Sequence, residues 1–223
     1  MGDGVRIGCK SARLAVPIAN RETTGAAAHG LIHAAAPLKG FTPEKERVIL
    51  LKTLTTVASV ALPIEERWSI KRCRYAPDGS SAGRVCIATG THGDEMMGQL
   101  IIYQVQQRIG EHPDALRGTV DFYPMLNPLG LDIAHRMVPS ATRLDMNRAF
   151  PGSPNGTPLE YMCHQVIQDM RGADLVLDLH ASARNKSELY EVRVSAKEAE
   201  RLLPRVRALC PQLIWVYPDK GSF

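Results

Sequence analysis

Two histidines and one glutamate in this sequence have the types and spacing of a metal site. His92 and Glu95 lie three positions apart in "GTHGDEMMG", after one apolar run, and His180 ends another apolar run, "ADLVLDLH". Residues three apart at the opening of a helix point the same way, so an imidazole and a carboxylate can reach one ion. Two histidines and one glutamate would bind a tetrahedral zinc ion and leave its fourth position for water, which zinc activates.

The competing interpretation is a polar turn between two core elements. An isolated H-x-x-E occurs often by chance, and a lone histidine after an apolar strand is usually a partly buried structural residue. The combination strengthens the metal interpretation, because both motifs lie at the ends of predicted strands of one sheet, and both interpretations stay open at this point. Functional groups of parallel α/β sheets collect in the loops at the carboxyl ends of the strands.

The polar loop between these motifs contains groups suited to binding a carboxylate. "RLDMNRAFPG" holds Asp145, Asn147 and Arg148, and Arg136 precedes Asn147 by eleven residues. A guanidinium binds a carboxylate through two parallel hydrogen bonds, and an amide donates another. A solvated polar loop that ends in a Pro-Gly turn would have the same composition, so this interpretation stays open.

Strands alternate with helices from about residue 54 onward, which is the arrangement needed to position these loops. Apolar runs predict strands in "RVCIATG", "GTVDFYPML", "ADLVLDLH", "ELYEVRV" and "QLIWVYP", and "RWSIKRCRYA" predicts a strand near a sheet edge. Helical spacing predicts helices in "DEMMGQLIIYQVQQRIG", "PLEYMCHQVIQDMRG" and "SAKEAERLLPRVRALC", with Ser195 as the cap of the last. The alternation predicts an α/β domain with a largely parallel central sheet.

The first 43 residues differ from the rest of the chain. They are rich in Gly and Ala with poor periodicity, which is typical of a loosely ordered lead-in or an appendage outside the core. We therefore predict that residues 1–43 form this lead-in and that residues 44–223 form the catalytic domain.

Composition and charge exclude several classes of protein. The 223 residues are 44% apolar, which allows a sizeable core, and a net charge of +4 is too small to indicate nucleic-acid binding. Residues 48–64 are too short and too polar to span a membrane. Five scattered cysteines without a C-x-x-C pair, and no secretory signal, favour a reducing cytoplasm. The oligomeric state stays open.

Four motifs together resemble the succinylglutamate desuccinylase/aspartoacylase family, a branch of the zinc carboxypeptidase-like hydrolases. They are "GTHGDE", "NPLGLDIAHR", "LDMNRAFPG" and "DLH", in the family's order and at similar spacing, over roughly residues 50–223. The resemblance implies a three-layer αβα fold with a mostly parallel mixed sheet. It also implies a zinc-dependent hydrolase that removes the acyl group from N-acyl amino acids or similar small acylated amines.

The resemblance also implies a role for each residue of the metal site. His92, Glu95 and His180 would bind one zinc ion per chain. Asp145 matches the family carboxylate that holds a ligand histidine in the correct tautomer.

A second group of residues would bind the substrate. Asn147 and Arg148 would hold a carboxylate of a small-molecule substrate. Arg136 would lie near the scissile carbonyl and help to stabilise the oxyanion, and Arg143 is the alternative arginine for this role.

The sequence departs from the family pattern after His180. The family's general base is a glutamate on a strand well downstream, and none of Glu188, Glu191, Glu198 and Glu200 matches it by position. We therefore expect the chain to lack the C-terminal part of the family domain, including this base. Two alternatives remain, a zinc metallocarboxypeptidase that acts on peptides and a non-catalytic zinc-binding remnant.

Overall fold

Eight strands form one mixed sheet at the centre of the molecule. The computed structural model describes the backbone of residues 5–8 and, in full, residues 50–62, 65–79, 82–140, 144–182 and 189–218. In chain order the strands are β1 (Val5–Gly8), β2 (Leu50–Ala61), β3 (Arg67–Pro77), β4 (Arg84–Thr89), β5 (Thr119–Tyr123), β6 (Leu175–His180), β7 (Glu191–Ser195) and β8 (Leu213–Tyr217). Across the sheet they follow the order β2-β3-β5-β4-β6-β1-β7-β8.

Five α-helices connect or flank the strands in the described part of the chain. They are α1 (Met97–Glu111), α2 (Pro128–Asp132), α3 (Met146–Ala149), α4 (Pro158–Met170) and α5 (Ala199–Arg207). Helix α4 begins with a reciprocal cap, in which the Thr157 side chain accepts from the Glu160 N–H and the Glu160 carboxylate accepts from the Thr157 N–H. This satisfies two backbone donors that a helix start leaves without partners.

The helices cover both faces of the sheet and make two separate cores. On one face, Ile102 of α1 and Leu202 of α5 belong to a buried cluster with strand residues such as Leu177. On the other face, Met162 of α4 packs in a second cluster with Cys86. Fully burying one such aliphatic side chain stabilises the fold by about 1.5–3 kcal/mol. The three-layer αβα arrangement predicted from the sequence is confirmed.

Three adjacent strands determine where functional loops can meet. Strand β4 pairs in parallel with β5 on one side and with β6 on the other. Because parallel strands end at the same edge of a sheet, the loops after β4 and β5 and the end of β6 come together there. Thr89 at the end of β4 lies opposite Leu179, so the next residue of β6, His180, adjoins the loop after β4.

Several local expectations need correction. The apolar segment after residue 48, for which the sequence predicts no element, forms β2, a 12-residue strand paired antiparallel with β3 at one edge of the sheet. Helix α1 begins at Met97 and has no acidic residue in its first turn, so the acidic residues before Met97 precede the helix. The Ser195 side chain makes no cap hydrogen bond, and a short 3₁₀ helix (Ala196–Glu198) precedes α5.

Residues 5–8 contribute one strand to the sheet. Strand β1 pairs in parallel with β6 and antiparallel with β7. Residues 1–4 and 9–43 lie outside the described residues, so the interpretation of residues 1–43 as a lead-in stays a prediction. Across the described residues, the helices are all too short or too polar to cross a bilayer.

A buried ionic network joins the strands on one face of the sheet. Asp121 of β5 has no exposed surface, and it accepts hydrogen bonds from Arg74 at 2.7 and 2.8 Å and from Arg84 at 2.6 Å. Burial alone would raise the pKa of Asp121, but the two arginines outweigh burial and hold it below its ordinary value. The carboxylate therefore ties β3, β4 and β5 together in its charged form.

Replacing Asp121 should destabilise the protein strongly. The Asp121→Asn variant leaves two partly buried guanidinium groups without their counter-charge, and we expect it to lower the free energy of unfolding by about 3–5 kcal/mol. Urea denaturation measures this loss. As a control, Glu198→Gln removes a solvent-exposed pair with Arg201, which should cost at most about 1 kcal/mol. Equal losses in the two variants would contradict the role given to Asp121.

Candidate metal centre

The predicted ligands come from two neighbouring segments at the carboxyl edge of the sheet. His92 and Glu95 lie in the loop between β4 and α1, and His180 is the last residue of β6. The expectation that His92 and Glu95 sit at the opening of a helix is wrong, because α1 begins only at Met97. A turn brings them together instead, in which the Glu95 N–H donates to the His92 carbonyl at 3.3 Å.

The side chains of two histidines converge on the Glu95 carboxylate. His92 Nδ1 lies 2.8 Å from Glu95 Oε1, and His180 Nδ1 lies 2.9 Å from Glu95 Oε2. The candidate ligand atoms of the three residues all lie within 4.8 Å of one another. His92 and Glu95 are only 2% and 5% exposed. The structure thus brings together the residues predicted as ligands, and their binding of a metal stays a prediction.

Both histidines contact a second carboxylate through the opposite ring nitrogen. His92 Nε2 lies 3.2 Å from Asp145 Oδ1, and His180 Nε2 lies 2.8 Å from Asp178 Oδ2. A carboxylate in this position fixes the orientation and tautomer of a metal-binding histidine. The family resemblance assigned Asp145 to this position; its carboxylate contacts His92, and its role beside a metal ligand stays a prediction.

Asp178 is a site residue that the sequence analysis missed. It lies two positions before His180 on β6, and alternate residues of a strand face the same side of the sheet. The D-x-H spacing was therefore the signal that could have revealed it. The Thr91 hydroxyl donates to the other Asp178 oxygen at 3.3 Å. This bond links β6 to the ligand loop, which is residues 90–96 between β4 and α1.

The charges of this cluster depend on one another. Burial alone would raise the pKa of Glu95, but hydrogen bonds with His180 and His92 outweigh it and hold the carboxyl ionised. Burial also opposes a charge on His180, yet Asp178 and Glu95 raise the pKa of this histidine to about 9. His180 is therefore protonated at neutral pH in this arrangement, and a bound metal ion would replace that proton.

The loop after β5 brings Arg136 to the same carboxylate. Its Nη1 donates to Glu95 Oε1 at 2.7 Å, while 44% of the Arg136 side chain remains exposed. The alternative arginine, Arg143, lies outside the described residues. The structure therefore places Arg136 at the cluster, and its role at a substrate carbonyl stays a prediction.

The two residues predicted to bind a substrate carboxylate differ in position. Asn147 is 5% exposed, and its backbone N–H donates to Asp145 Oδ1 at 2.9 Å, the same oxygen that contacts His92. Arg148 is exposed, and its backbone N–H donates to the Asp145 carbonyl at 2.9 Å. Both therefore lie on the helical turn that Asp145 begins, with Asn147 directed inward by burial and Arg148 facing solvent.

Glutamates after His180 were not assigned as the general base. Glu200 is exposed in the first turn of α5, and two other described glutamates pair with arginines. Glu191 accepts a hydrogen bond from Arg193 at 2.8 Å, and Glu198 accepts one from Arg201 at 2.6 Å. Glu188 lies outside the described residues.

Comparison with protein families supports the resemblance seen in the motifs. Residues 81–220, more than half of the chain, match the succinylglutamate desuccinylase/aspartoacylase catalytic domain. The chain belongs to this family. The match spans β4 to β8 and so includes all three candidate ligands.

One curated protein and several solved structures are similar to this chain. An N-alpha-acetyl-L-2,4-diaminobutyric acid deacetylase from Halomonas elongata is 32% identical over 98 residues, which cover 43% of this chain and 27% of that protein. A succinylglutamate desuccinylase/aspartoacylase structure from Rhodobacter sphaeroides has a TM-score of 0.59 at 23% identity, with 75% of this chain and 51% of that chain covered. A family protein from Shewanella amazonensis has a TM-score of 0.52 at 21% identity, over 67% and 50% of the two chains. The chain thus spans about half the length of these solved structures, and they show the fold.

Removing the Asp178 carboxylate should weaken metal binding without unfolding the protein. Asp178→Asn keeps the side-chain shape but loses the charge beside His180, and we expect the affinity for a divalent ion to fall by about 10–100-fold. Cobalt titration in competition with a chelator measures this affinity. The control is Asp114→Asn, which changes an exposed aspartate in the 3₁₀ helix after α1. If both variants bind cobalt as the parent does, Asp178 does not orient a ligand.

Proposed function

We propose that this protein is a zinc-dependent hydrolase that cleaves the amide bond of N-acyl amino acids or similar small acylated amines. The observation that carries the proposal is the convergence of His92, Glu95 and His180 at the carboxyl edge of the sheet, with ligand atoms within 4.8 Å of one another. Membership in the succinylglutamate desuccinylase/aspartoacylase family supports the same reaction class.

The donor set fits one zinc ion. Two imidazole nitrogens and a carboxylate oxygen are typical ligands of catalytic zinc sites that leave one position open. In both histidines Nε2 faces a carboxylate and Nδ1 faces Glu95, so we infer that the Nδ1 atoms are the ligands. When bound, zinc would polarise the substrate carbonyl and lower the pKa of a water molecule.

The chain's own side chains would bind and orient the substrate. Arg136 is close enough to the cluster to donate to an oxygen that gains negative charge, and preorganised donors of this kind stabilise oxyanions. Asn147 and Arg148 would hold the substrate carboxylate, the buried amide from inside and the exposed guanidinium from the solvent side. Such a grip would fix the acyl group relative to Arg136.

The substrate class is favoured by one relative. The deacetylase from Halomonas elongata acts, by its name, on an N-acetylated diamino acid. We therefore favour a small acylated amine over a peptide, and the metallocarboxypeptidase stays the second candidate. A non-catalytic zinc-binding protein is the third, because no described glutamate after His180 has been assigned as the base. For the location we propose the cytoplasm, since Cys73, Cys86, Cys163 and Cys210 are all free thiols.

Loss of one ligand histidine should abolish metal binding. His180→Ala removes one of three ligands, and we expect the zinc content to fall from about one ion per chain to near zero. Elemental analysis after dialysis against zinc measures the content. The matched control is His112→Ala, which changes a histidine at the end of α1 and should leave the zinc content unchanged. Full zinc occupancy in His180→Ala would refute the proposed ligand set.

The affinity for metal should depend on pH in a defined direction. His180 has a raised pKa of about 9 in the metal-free protein, so below that pH a proton must leave before zinc binds. We expect the apparent affinity to increase from pH 6 to 8, by up to about tenfold per pH unit. Chelator competition at constant ionic strength measures it. An affinity that is constant over this range would contradict a protonated His180.

Substrate preference separates the proposed activities. We expect N-acetyl-2,4-diaminobutyrate and other N-acyl amino acids to be hydrolysed at least about tenfold faster than dipeptides, as measured by the release of free amine. Asn147→Ala should mainly raise KM, since it removes a contact that the substrate makes before and during the reaction. Faster cleavage of dipeptides would favour the peptidase. Zinc binding without hydrolysis of either class would favour the non-catalytic protein.

A further inference from the structure

Two glycines make a direct backbone contact between the ligand loop (residues 90–96, between β4 and α1) and the Arg136 loop (residues 124–136, which includes the short helix α2). Gly93 lies between His92 and Glu95, and a Cβ atom added to it would meet the Gly130 carbonyl carbon at 2.1 Å and the His135 carbonyl oxygen at 2.4 Å. Side chains do not tolerate such distances, so only glycine fits at Gly93. The separation of the two loops is therefore set by the thickness of the backbone.

Hydrogen bonds on either side of this contact hold the two loops in register. The Asn127 N–H donates to the Gly90 carbonyl at 2.8 Å, and the Gly93 N–H donates to the Arg136 carbonyl at 3.4 Å. Within the Arg136 loop, the fully buried Asn127 side chain caps α2 by accepting from the Gly130 N–H at 2.9 Å. Backbone groups of the ligand loop thus make hydrogen bonds with both ends of the segment from Asn127 to Arg136.

This arrangement determines where the guanidinium of Arg136 lies. Its side chain is 44% exposed, and its ion pair is with Glu95. A long, partly exposed side chain has many rotamers, so its position depends on where its backbone is anchored. The anchor is the Gly93 N–H, one residue after one candidate ligand and two before another.

We propose that the Gly93–Gly130 contact is a positioning element for the reaction. It fixes the backbone of Arg136 at a set distance from the metal ligands, so that the guanidinium faces the substrate carbonyl. The catalytic part of this inference rests on the proposed function, which places Arg136 at that carbonyl. A displacement of about 1 Å in such a group can cost about 100-fold in rate.

The variant Gly130→Ala tests the proposal. A Cβ atom at this position would meet Asn127 Nδ2 at 2.4 Å and the His135 carbonyl at 2.7 Å, so the Arg136 loop must shift. The substitution leaves the three candidate ligands and their neighbours in the sequence unchanged. We expect zinc content to stay near one ion per chain and kcat/KM to fall by about 10–100-fold. In an Arg136→Met background, the same substitution should lower kcat/KM by less than about threefold, because both changes act through one group.

A matched control separates this effect from ordinary strain. Gly118 precedes β5, at the end of this strand that lies away from the Arg136 loop. A Cβ atom at Gly118 would meet the Gly83 carbonyl oxygen at 2.6 Å. Gly118→Ala should lower the melting temperature but leave kcat/KM within about threefold of the parent. Should Gly130→Ala fail to fold, Asn127→Ala is the second variant. It removes the hydrogen bond from the Gly130 N–H to the Asn127 side chain without adding atoms, and the same measurements apply to it.

Crystal structures of the metal-free parent and of Gly130→Ala provide a readout that needs no activity. We expect the distance between Arg136 Nη1 and Glu95 Oε1 to increase from 2.7 Å to beyond about 4 Å. An unchanged distance, or equal losses of kcat/KM in the two Arg136 backgrounds, would overturn the proposal. If Arg136 moves but the parent hydrolyses no acylated amine, the structural inference holds and the proposed function fails.

Discussion

The Glu95 carboxylate is the interaction on which the candidate site depends. It is 5% exposed, and a buried carboxylate without partners costs several kcal/mol. Here one oxygen lies against His92 and Arg136, and the other lies against His180 and accepts from the Ala181 N–H at 2.9 Å. The charge can therefore remain in the interior only while the ligand loop, the Arg136 loop and the end of β6 are all in place.

The sheet supplies that placement, and a second buried carboxylate supports it. Asp121 binds arginines from β3 and β4 while it is itself part of β5. Two of these strands, β4 and β5, carry the loops that reach Glu95. The two carboxylates have different consequences, because arginines always carry the charge that Asp121 needs, whereas a partner of Glu95, His180, can lose its proton. One cluster is thus suited to stability and the other to chemistry.

The sequence predicted those features that depend on local pattern. Apolar runs such as "RVCIATG" and "ADLVLDLH" identified the buried strands, and their order identified the edge where His92, Glu95 and His180 meet. The missed features depend on tertiary contacts. Asp121 lies in a strand whose sequence gives no sign of the arginines on β3, and the start of α1 at Met97 depends on the turn that joins His92 to Glu95. Strand β1 lies beside β6, far from its place in the chain, and only the assembled sheet shows this pairing.

The two outer carboxylates give the two histidines different kinds of support. Asp178 is on the same strand as His180 and also accepts from Thr91, so β6 and the start of the loop after β4 hold this pair. Asp145 reaches His92 from the loop that also carries Asn147, and one of its oxygens contacts both the imidazole and the Asn147 N–H. Movement of that loop would therefore change the orientation of His92 together with the position of Asn147. In the proposed enzyme, binding of a substrate carboxylate at Asn147 would then couple directly to one metal ligand, while the His180 side of the site stays fixed by the sheet.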